Sequence, residues 1–304
     1  MPEYSIVVPV YNSQDTLEPL FVRIDKVFKE LKKTFEIIFV EDGGGDNSWG
    51  VIKELKAKYP ECIKGIRLSR NHGQHNAVFC GFAHCTGDII ITIDDDLQIP
   101  PEEIPKLISY YEQYRPDMVY GFYRKKQHSA MRNFGSSFIK KTSKLLKKAP
   151  GEGSSFRLMK KQLVGHVLNH SQEFVYIDEL LLWYTGNIGF VEVEHLKREY
   201  QTSGYTTFKL FSLFFKLTIT YTAYPLKIMI YGGFISSFMT FLLGLYYIFR
   251  KAFFHVPLGY TSIIVTVLFS SSLIILSLGI IGEYILKIYK VQNKKPAYTI
   301  SEMI

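Results

Sequence analysis

Four short runs rich in β-branched residues, at positions 5–10, 35–40, 63–68 and 88–93, are separated by stretches with helical patterning such as 16–32. Strands spaced by helices cannot pair as tight hairpins. The expected fold is therefore α/β, a mostly parallel sheet with helices on both faces. Sheets of this kind bind ligands at the carboxyl ends of their strands. Each run here ends in polar residues: Tyr11 and Asn12, then Asp42, then Ser69, Arg70 and Asn71, then Asp94, Asp95 and Asp96. Folding would bring these four strand ends side by side, which makes them the candidate site.

The acidic triplet carries the strongest chemical signal. Three adjacent carboxylates repel one another unless solvent or a cation offsets the charge. On an extended chain Asp94 and Asp96 would point the same way, since side chains alternate with a period of two. Oxygen ligands at that spacing suit Mg²⁺ or Mn²⁺ shared with substrate phosphates; the alternative is a solvated acidic loop or helix cap. Pro100, Pro101, Glu102 and Glu103 then read as the start of a helix. The glycines at 43–45 lack the Lys-Ser/Thr of a phosphate loop and come after the second strand, so a tight turn presenting Asp42 is the better account. His72, His75, Cys80, His84 and Cys85 match no zinc spacing. The three cysteines, Cys62 among them, read as reduced thiols of a core.

The last third of the chain has a different character. Residues 228–249 and 256–282 contain no charged side chain, and a helix of roughly 20 apolar residues spans a bilayer core. Two buried helices of a large soluble core are the competing account. Net charge is +8, but residues 228–304 hold six basic and two acidic side chains. This excess flanks apolar segments rather than forming a basic face, so membrane is expected as a partner and nucleic acid is not. Lys287, Lys290, Lys294 and Lys295 place the tail in the cytoplasm by the positive-inside rule, and two spans return the chain to its starting side. Arg250 and Lys251 in the outer loop oppose this weakly. The start of the chain, with Glu3 and Pro9 interrupting a short apolar run, does not read as a secretory signal.

The ordered set Pro9-Val10-Tyr11-Asn12, Val40-Glu41-Asp42-Gly43, Leu68-Ser69-Arg70-Asn71-His72-Gly73, Asp94-Asp95-Asp96-Leu97-Gln98 and Ser155-Phe156-Arg157-Leu158 resembles a known family. These are the inverting GT-A glycosyltransferases of the dolichyl-phosphate mannose synthase type, which include bacterial polyprenyl-phosphate sugar transferases. The resemblance covers nearly the whole chain. It implies a UDP- or GDP-linked nucleotide-sugar donor, a divalent metal, Mg²⁺ or Mn²⁺, and a polyprenyl phosphate acceptor such as undecaprenyl phosphate, and it allows a homo-oligomer. By that resemblance Pro9, Tyr11, Asn12, Asp42, Asp94, Asp95, Arg124 and Arg132 bind the nucleotide sugar. Asp94, Asp96 and Gln98 hold the metal, and Asp96, Arg157 and Asp178 serve catalysis. Residues 197–205 resemble the family's Arg-x-x-Gly-x-Ser-x-Tyr stretch, which assigns Arg198, Ser203 and Tyr205 to the acceptor phosphate. Two departures stand out: Ser13 occupies a position where the family usually has glutamate, and Ser155 one where many bacterial members have aspartate.

The implied layout is a GT-A domain over 1–203, interfacial helices over 204–225, two transmembrane helices within 226–290 (about 228–249 and 257–282), and a cytoplasmic tail over 291–304. Residues 207–222 alternate Phe and Leu with Lys209 and Lys216, which suits a helix lying in the membrane interface or an ordinary core helix. The expected location is the plasma (inner) membrane, multi-pass, with the catalytic domain and C-terminus cytoplasmic. An ionised lipid phosphate needs little help from a base, whereas a sugar hydroxyl acceptor would need one, with Asp178 or Glu179 as the candidate. A non-catalytic scaffold would not be expected to keep the acidic triplet.

Overall fold

The first strand is buried from end to end. All seven residues of β1 (Tyr4–Val10) lie in the interior, which is why the run is apolar rather than alternating. The computed structural model describes residues 2–123, 152–169, 176–196, 260–292 and 296–304, with scattered helical positions between 229 and 253. In chain order the first part gives β1, α1 (Leu17–Leu31), β2 (Phe35–Glu41), α2 (Ser48–Lys58), β3 (Ile63–Leu68), α3 (Gln74–Ala83), β4 (Ile89–Thr92), a 3₁₀ turn at Pro101–Glu103, α4 (Ile104–Tyr114) and β5 (Met118–Tyr123). The remainder gives β6 (Glu152–Lys160), α5 (Lys161–Leu168), α6 (Ile177–Tyr184), β7 (Ile188–Glu192), α7 (Tyr260–Gln292) and β8 (Ile300–Met303).

The eight strands form one sheet in the order β7-β5-β6-β4-β1-β2-β3-β8. The pairs β1–β2, β1–β4, β2–β3 and β5–β7 are parallel. The pairs β4–β6, β5–β6 and β3–β8 are antiparallel. The mostly parallel sheet is thus present, with β6 inserted in reverse between β4 and β5, and β8 reversed at one edge. The chain divides into two units, residues 1–204 with 294–304, and residues 205–293. The last residues, expected as a tail, therefore contribute a strand to the first unit.

Helices cover both faces. Tyr4, Ile6, Val8 and Val10 of β1, with Ile37 and Phe39 of β2, join one apolar cluster with Leu17, Leu20, Phe21, Ile24 and Phe28 of α1 and Leu107 and Ile108 of α4. The α1 residues recur every three or four positions, the stripe an amphipathic helix needs. Helix α3 packs on the opposite face, so closely that a β-carbon on Gly81 would lie 2.3 Å from Val7 Cγ1. The β1–β4 register runs only from Tyr4–Ile89 to Val7–Thr92. Pro9, which has no N–H to donate, stands where those two strands part, and the parting opens a cleft at the strand ends.

Among the described residues no helix is long and apolar enough to cross a membrane. The backbone of α7 is one continuous helix of 33 residues that covers most of the second uncharged stretch. The expected first span and the interfacial helices lie largely outside the described residues.

Substituting Gly81 with alanine tests the packing of α3 on β1. On an exposed helix the change would stabilise by about 1 kcal/mol. Here the new methyl must displace a stiff valine in a filled core, a cost of about 1–3 kcal/mol. The expected outcome is a lower melting temperature in thermal denaturation; a rise would contradict the packing.

Candidate active site

The four strand ends enclose a cleft of about 270 Å³, lined by Pro9–Ser13, Asp15, Thr16, Asp42, Asn71, Gly73, Gln74 and Asp94–Asp96. Its walls are tied together by side chains accepting backbone N–H bonds. Asn12 Oδ1 accepts from Gly45 (2.8 Å), Asp46 Oδ2 from Gln14 (3.0 Å), Gln14 Oε1 from Asn47 (2.9 Å) and Ser48 Oγ from Ser13 (2.9 Å). The loops after β1 and β2 thus hold each other in place.

Asp42 does the same for the loop after β3. One carboxylate oxygen accepts the N–H of His72 (2.7 Å) and the other that of Gly73 (2.8 Å). Gly43 makes this approach feasible: its φ is +66°, and a β-carbon there would come within 2.6 Å of the Arg70 and Asn71 backbone. Burial pushes the Asp42 carboxyl up to about 6, reinforced by neighbouring Glu41 and opposed by the two N–H bonds. Glu41, also buried, is paired with Arg67 at 3.1 Å.

The acidic triplet lies at the cleft floor. Strand β4 ends at Thr92 and a turn begins at Asp95, with Leu97 in the left-handed region at φ 56°. The alternation expected of an extended chain therefore does not apply, and a turn is what brings all three carboxylates to the cleft. Asp94 Oδ1 accepts from Gln74 Nε2 (2.7 Å), and Asp95 Oδ2 from the Tyr11 N–H (3.0 Å). Burial raises Asp94, with Asp96 adding to the effect and Ser155, Arg157 and Gln74 opposing it. Burial pushes Asp95 up to about 7, against hydrogen bonds from Ser13 and Tyr11. The Gln98 N–H donates to Asp96 Oδ1 at 3.2 Å, and Gln98 itself is not among the lining residues.

Among the described residues no three acidic, histidine or cysteine side chains converge to hold a metal unaided. The donor set fits Mg²⁺ or Mn²⁺ all the same: such ions are held by one or two carboxylates with substrate oxygens completing the shell, and crowded carboxylates that burial raises favour a cation.

A second charged group adjoins the triplet. Arg157 on β6, buried beside Asp94, makes a 2.6 Å salt bridge with Asp178 at the start of α6 and sits over the Tyr120 ring. Its Nε is buried without a hydrogen-bond partner among the described residues. His75, whose ring lies tilted against that of Tyr176 at 4.6 Å, is pushed down to about 4 by burial, which Asp178 opposes and Arg157 reinforces. It is neutral at physiological pH. Arg124, Arg132, Arg198, Ser203 and Tyr205 lie outside the described residues.

The Glycosyl transferase family 2 model matches residues 5–168, and so takes in all four strand ends and β6. The chain belongs to glycosyl transferase family 2. It is 34% identical over 311 residues to the undecaprenyl-phosphate 4-deoxy-4-formamido-L-arabinose transferase of Shewanella sediminis (strain HAW-EB3), with 99% of this chain and 92% of that protein covered. The enzyme of the same name from Proteus mirabilis (strain HI4320) is 31% identical over 309 residues, covering 99% and 93%. In fold, this glycosyltransferase is similar to the glucosyl-3-phosphoglycerate synthase of Mycobacterium tuberculosis in complex with Mn²⁺ and uridine-diphosphate-glucose. That similarity has a TM-score of 0.50 at 16% identity, covering 72% of this chain and 77% of that one.

Gln74 has no individual signal in the glycosyltransferase's sequence, whereas Asn71 stands among the strand-end residues, Ser13 as a departure from the family pattern and His75 within the histidine and cysteine group. Gln74 opens α3 directly after Gly73, and a polar side chain at a helix start beside a strand end was the one cue available. Gln74 is placed by its contact with Asp94, Ser13 by its contact with Ser48 and His75 by its contact with Tyr176, all distant in sequence.

Substituting Asp42 with asparagine has a pH signature. An acid raised from 3.8 to about 6 on folding is held preferentially protonated, so its contribution to stability is fullest below about 4 and declines as pH rises through 6. Asparagine does not titrate. The melting temperature of the variant minus that of the wild type should therefore increase between pH 4 and 7 and level off above it. A difference that falls over that window would contradict the assignment.

Proposed function

We propose that this glycosyltransferase moves a sugar from a nucleotide-sugar donor, UDP- or GDP-linked, to undecaprenyl phosphate at the cytoplasmic face of the membrane, inverting the anomeric centre. The observation that carries the reading is the cleft in which Asp42 and the three carboxylates after β4 meet. The full-length similarity to enzymes named for undecaprenyl phosphate supports the acceptor.

In this reading Tyr11, Asn12 and Asp42 orient the nucleoside, with the exposed Tyr11 ring offering a face to the base. Asp94 and Asp96, with Asp95 beside them, would hold Mg²⁺ or Mn²⁺, which neutralises charge that develops on the departing diphosphate. Gln74 fixes the rotamer of Asp94 through its 2.7 Å bond. Arg157, whose Nε has no hydrogen-bond partner among the described residues, adds positive charge beside Asp94, and Asp178 holds it there. Arg124 and Arg132 are proposed for the donor phosphates, and Arg198, Ser203 and Tyr205 for the acceptor phosphate. A phosphate monoester has its second pKa at about 6, so it attacks already ionised. No base is required, which agrees with Asp178 being committed to Arg157.

The membrane part is inferred from sequence and from β8. Helix α7, about 50 Å long at 1.5 Å per residue, carries the second uncharged stretch and ends among lysines. The pairing of β8 with β3 keeps residues 300–303 on the same side as the strand-bearing domain, which supports an even number of crossings by the segment between. Two spans within 226–290 satisfy this, and the lysines near the second assign the shared side to the cytoplasm.

Asp96→Asn should leave the protein folded and membrane-bound but lower transfer by more than tenfold, that is by more than about 1.4 kcal/mol of barrier, in a radiolabelled-sugar assay. Activity above a tenth of wild type would remove the carboxylate from the chemistry.

Asp178→Asn and Arg198→Lys separate the acceptors. Leaving Arg157 buried and unpaired costs about 3–5 kcal/mol, so Asp178→Asn should lower stability and activity together. Arg198→Lys should weaken acceptor use and spare donor binding, because lysine lacks the two-point fork of a guanidinium. An Asp178→Asn protein of wild-type stability without activity, alongside a nearly unaffected Arg198→Lys, would favour a base acting on a hydroxyl acceptor instead.

A further inference from the structure

The C-terminal segment lies against the sheet edge next to the cleft, and its two ends make different kinds of contact. The far end is an anchor. Glu302 accepts a hydrogen bond from Trp49 Nε1 (2.9 Å) and pairs with Lys53 (2.7 Å). Ile304 exchanges backbone hydrogen bonds with Gly65 at 2.9 and 3.1 Å, where a side chain on residue 65 would collide with Ile304.

The near end reaches the loop that Asp42 holds. The Ser69 N–H donates to the Thr299 carbonyl at 2.9 Å, and the two hydroxyls are in contact. Thr299 Oγ1 also lies 3.3 Å from His72 Nε2, and the same imidazole bonds the Ala297 carbonyl. Tyr298 packs edge-on against Phe79 of α3. His72 is thus gripped from two directions. Its ring is held by the C-terminal segment, while its backbone N–H is one of the two donors to Asp42. Asn71 and Gly73, on either side of it, line the cleft.

We propose that the C-terminal segment is a positioning element of the donor site, in which Thr299 and the Ala297 carbonyl set His72 and so hold the 69–73 loop in register with Asp42. This rests on the reading of the cleft as a nucleotide site. Thr299 touches no reacting atom; it acts through His72. The chemistry is suited to the task. A hydroxyl and a carbonyl fix a ring in place without adding charge beside Asp42, whose carboxylate burial already disfavours. A loop fixed only by Asp42 could swing about that one residue, whereas a second grip on the His72 ring removes the freedom.

The test uses the full-length protein in detergent, with binding of UDP and GDP measured by calorimetry and donor KM, kcat, acceptor KM and melting temperature measured in parallel. Thr299→Val keeps the shape and deletes the hydroxyl. It should weaken binding of whichever nucleotide the wild type binds by about fivefold, the scale of one neutral hydrogen bond, and raise donor KM to match. Its kcat, acceptor KM and melting temperature should stay close to wild type, and Thr299→Ser should restore binding. Glu302→Gln should do the reverse, lowering the melting temperature while sparing nucleotide binding. His72→Phe, which retains the backbone N–H to Asp42, should reproduce the Thr299→Val binding loss and covers the case in which that variant fails to fold. Unchanged nucleotide binding in Thr299→Val and His72→Phe, or an equal loss in Glu302→Gln, would overturn the proposal. A wild type that binds neither nucleotide would overturn the reading of the cleft instead.

Discussion

Carboxylates drawn out of solvent at the ends of parallel strands, Asp42 buried and Asp94 and Asp95 half-buried, are the constraint around which this domain is arranged. Asp42, Asp94 and Asp95 all lie where burial disfavours their charge. Each is kept in place by donors from another segment: His72 and Gly73 for Asp42, Gln74 for Asp94, Tyr11 for Asp95. A buried acceptor that finds its donors stabilises; one that does not is costly. The same bonds therefore fix the cleft and hold its loops together. They also leave the site with more negative charge than it can comfortably contain, a state that a cation with a diphosphate would relieve.

Among the described residues, a buried guanidinium supplies positive charge beside the triplet. Arg157 sits beside Asp94 and is balanced by Asp178, so charge alternates from the triplet back to α6. Such an arrangement keeps a guanidinium fixed beside Asp94, next to the cleft. Preorganised charge of this kind needs little rearrangement as a leaving group departs. His75 stays neutral within the same group, because the burial that lowers it outweighs the pull of Asp178.

How far the sequence foretells this arrangement depends on the kind of contact. Strands β1, β2 and β4 announce themselves because both faces are largely buried, which favours apolar runs, while β3 shows through its isoleucines despite the half-buried Lys64 and Arg67. The polar residues just past them are legible for the same reason, since the contrast marks the strand end. Strand β6 is visible only as the motif around Arg157, because an antiparallel insertion has no signature until its neighbours are known. Strand β8 carries Ser301 and Glu302 on a solvent-facing edge and reads as a tail; its place comes from Trp49, Lys53 and Gly65, all far away in the chain. The alternation argument for Asp94 and Asp96 does not hold, since the chain turns at Asp95. The grouping of histidines and cysteines, read as no zinc site, resolves into separate roles: His72 grips the C-terminal segment, His75 lies beside Arg157, and Cys80 packs in the core.

The proposed reaction stands on a cleft that releases nucleotide when a lipid phosphate attacks. The direct measurement is release of UDP or GDP by the purified full-length enzyme from a panel of nucleotide sugars, with and without undecaprenyl phosphate. The predicted result is that one nucleotide is released at a rate strongly dependent on undecaprenyl phosphate and on Mg²⁺ or Mn²⁺, with the sugar recovered on the lipid through its phosphate. Release that ignores undecaprenyl phosphate but responds to a lipid-linked glycan would contradict it.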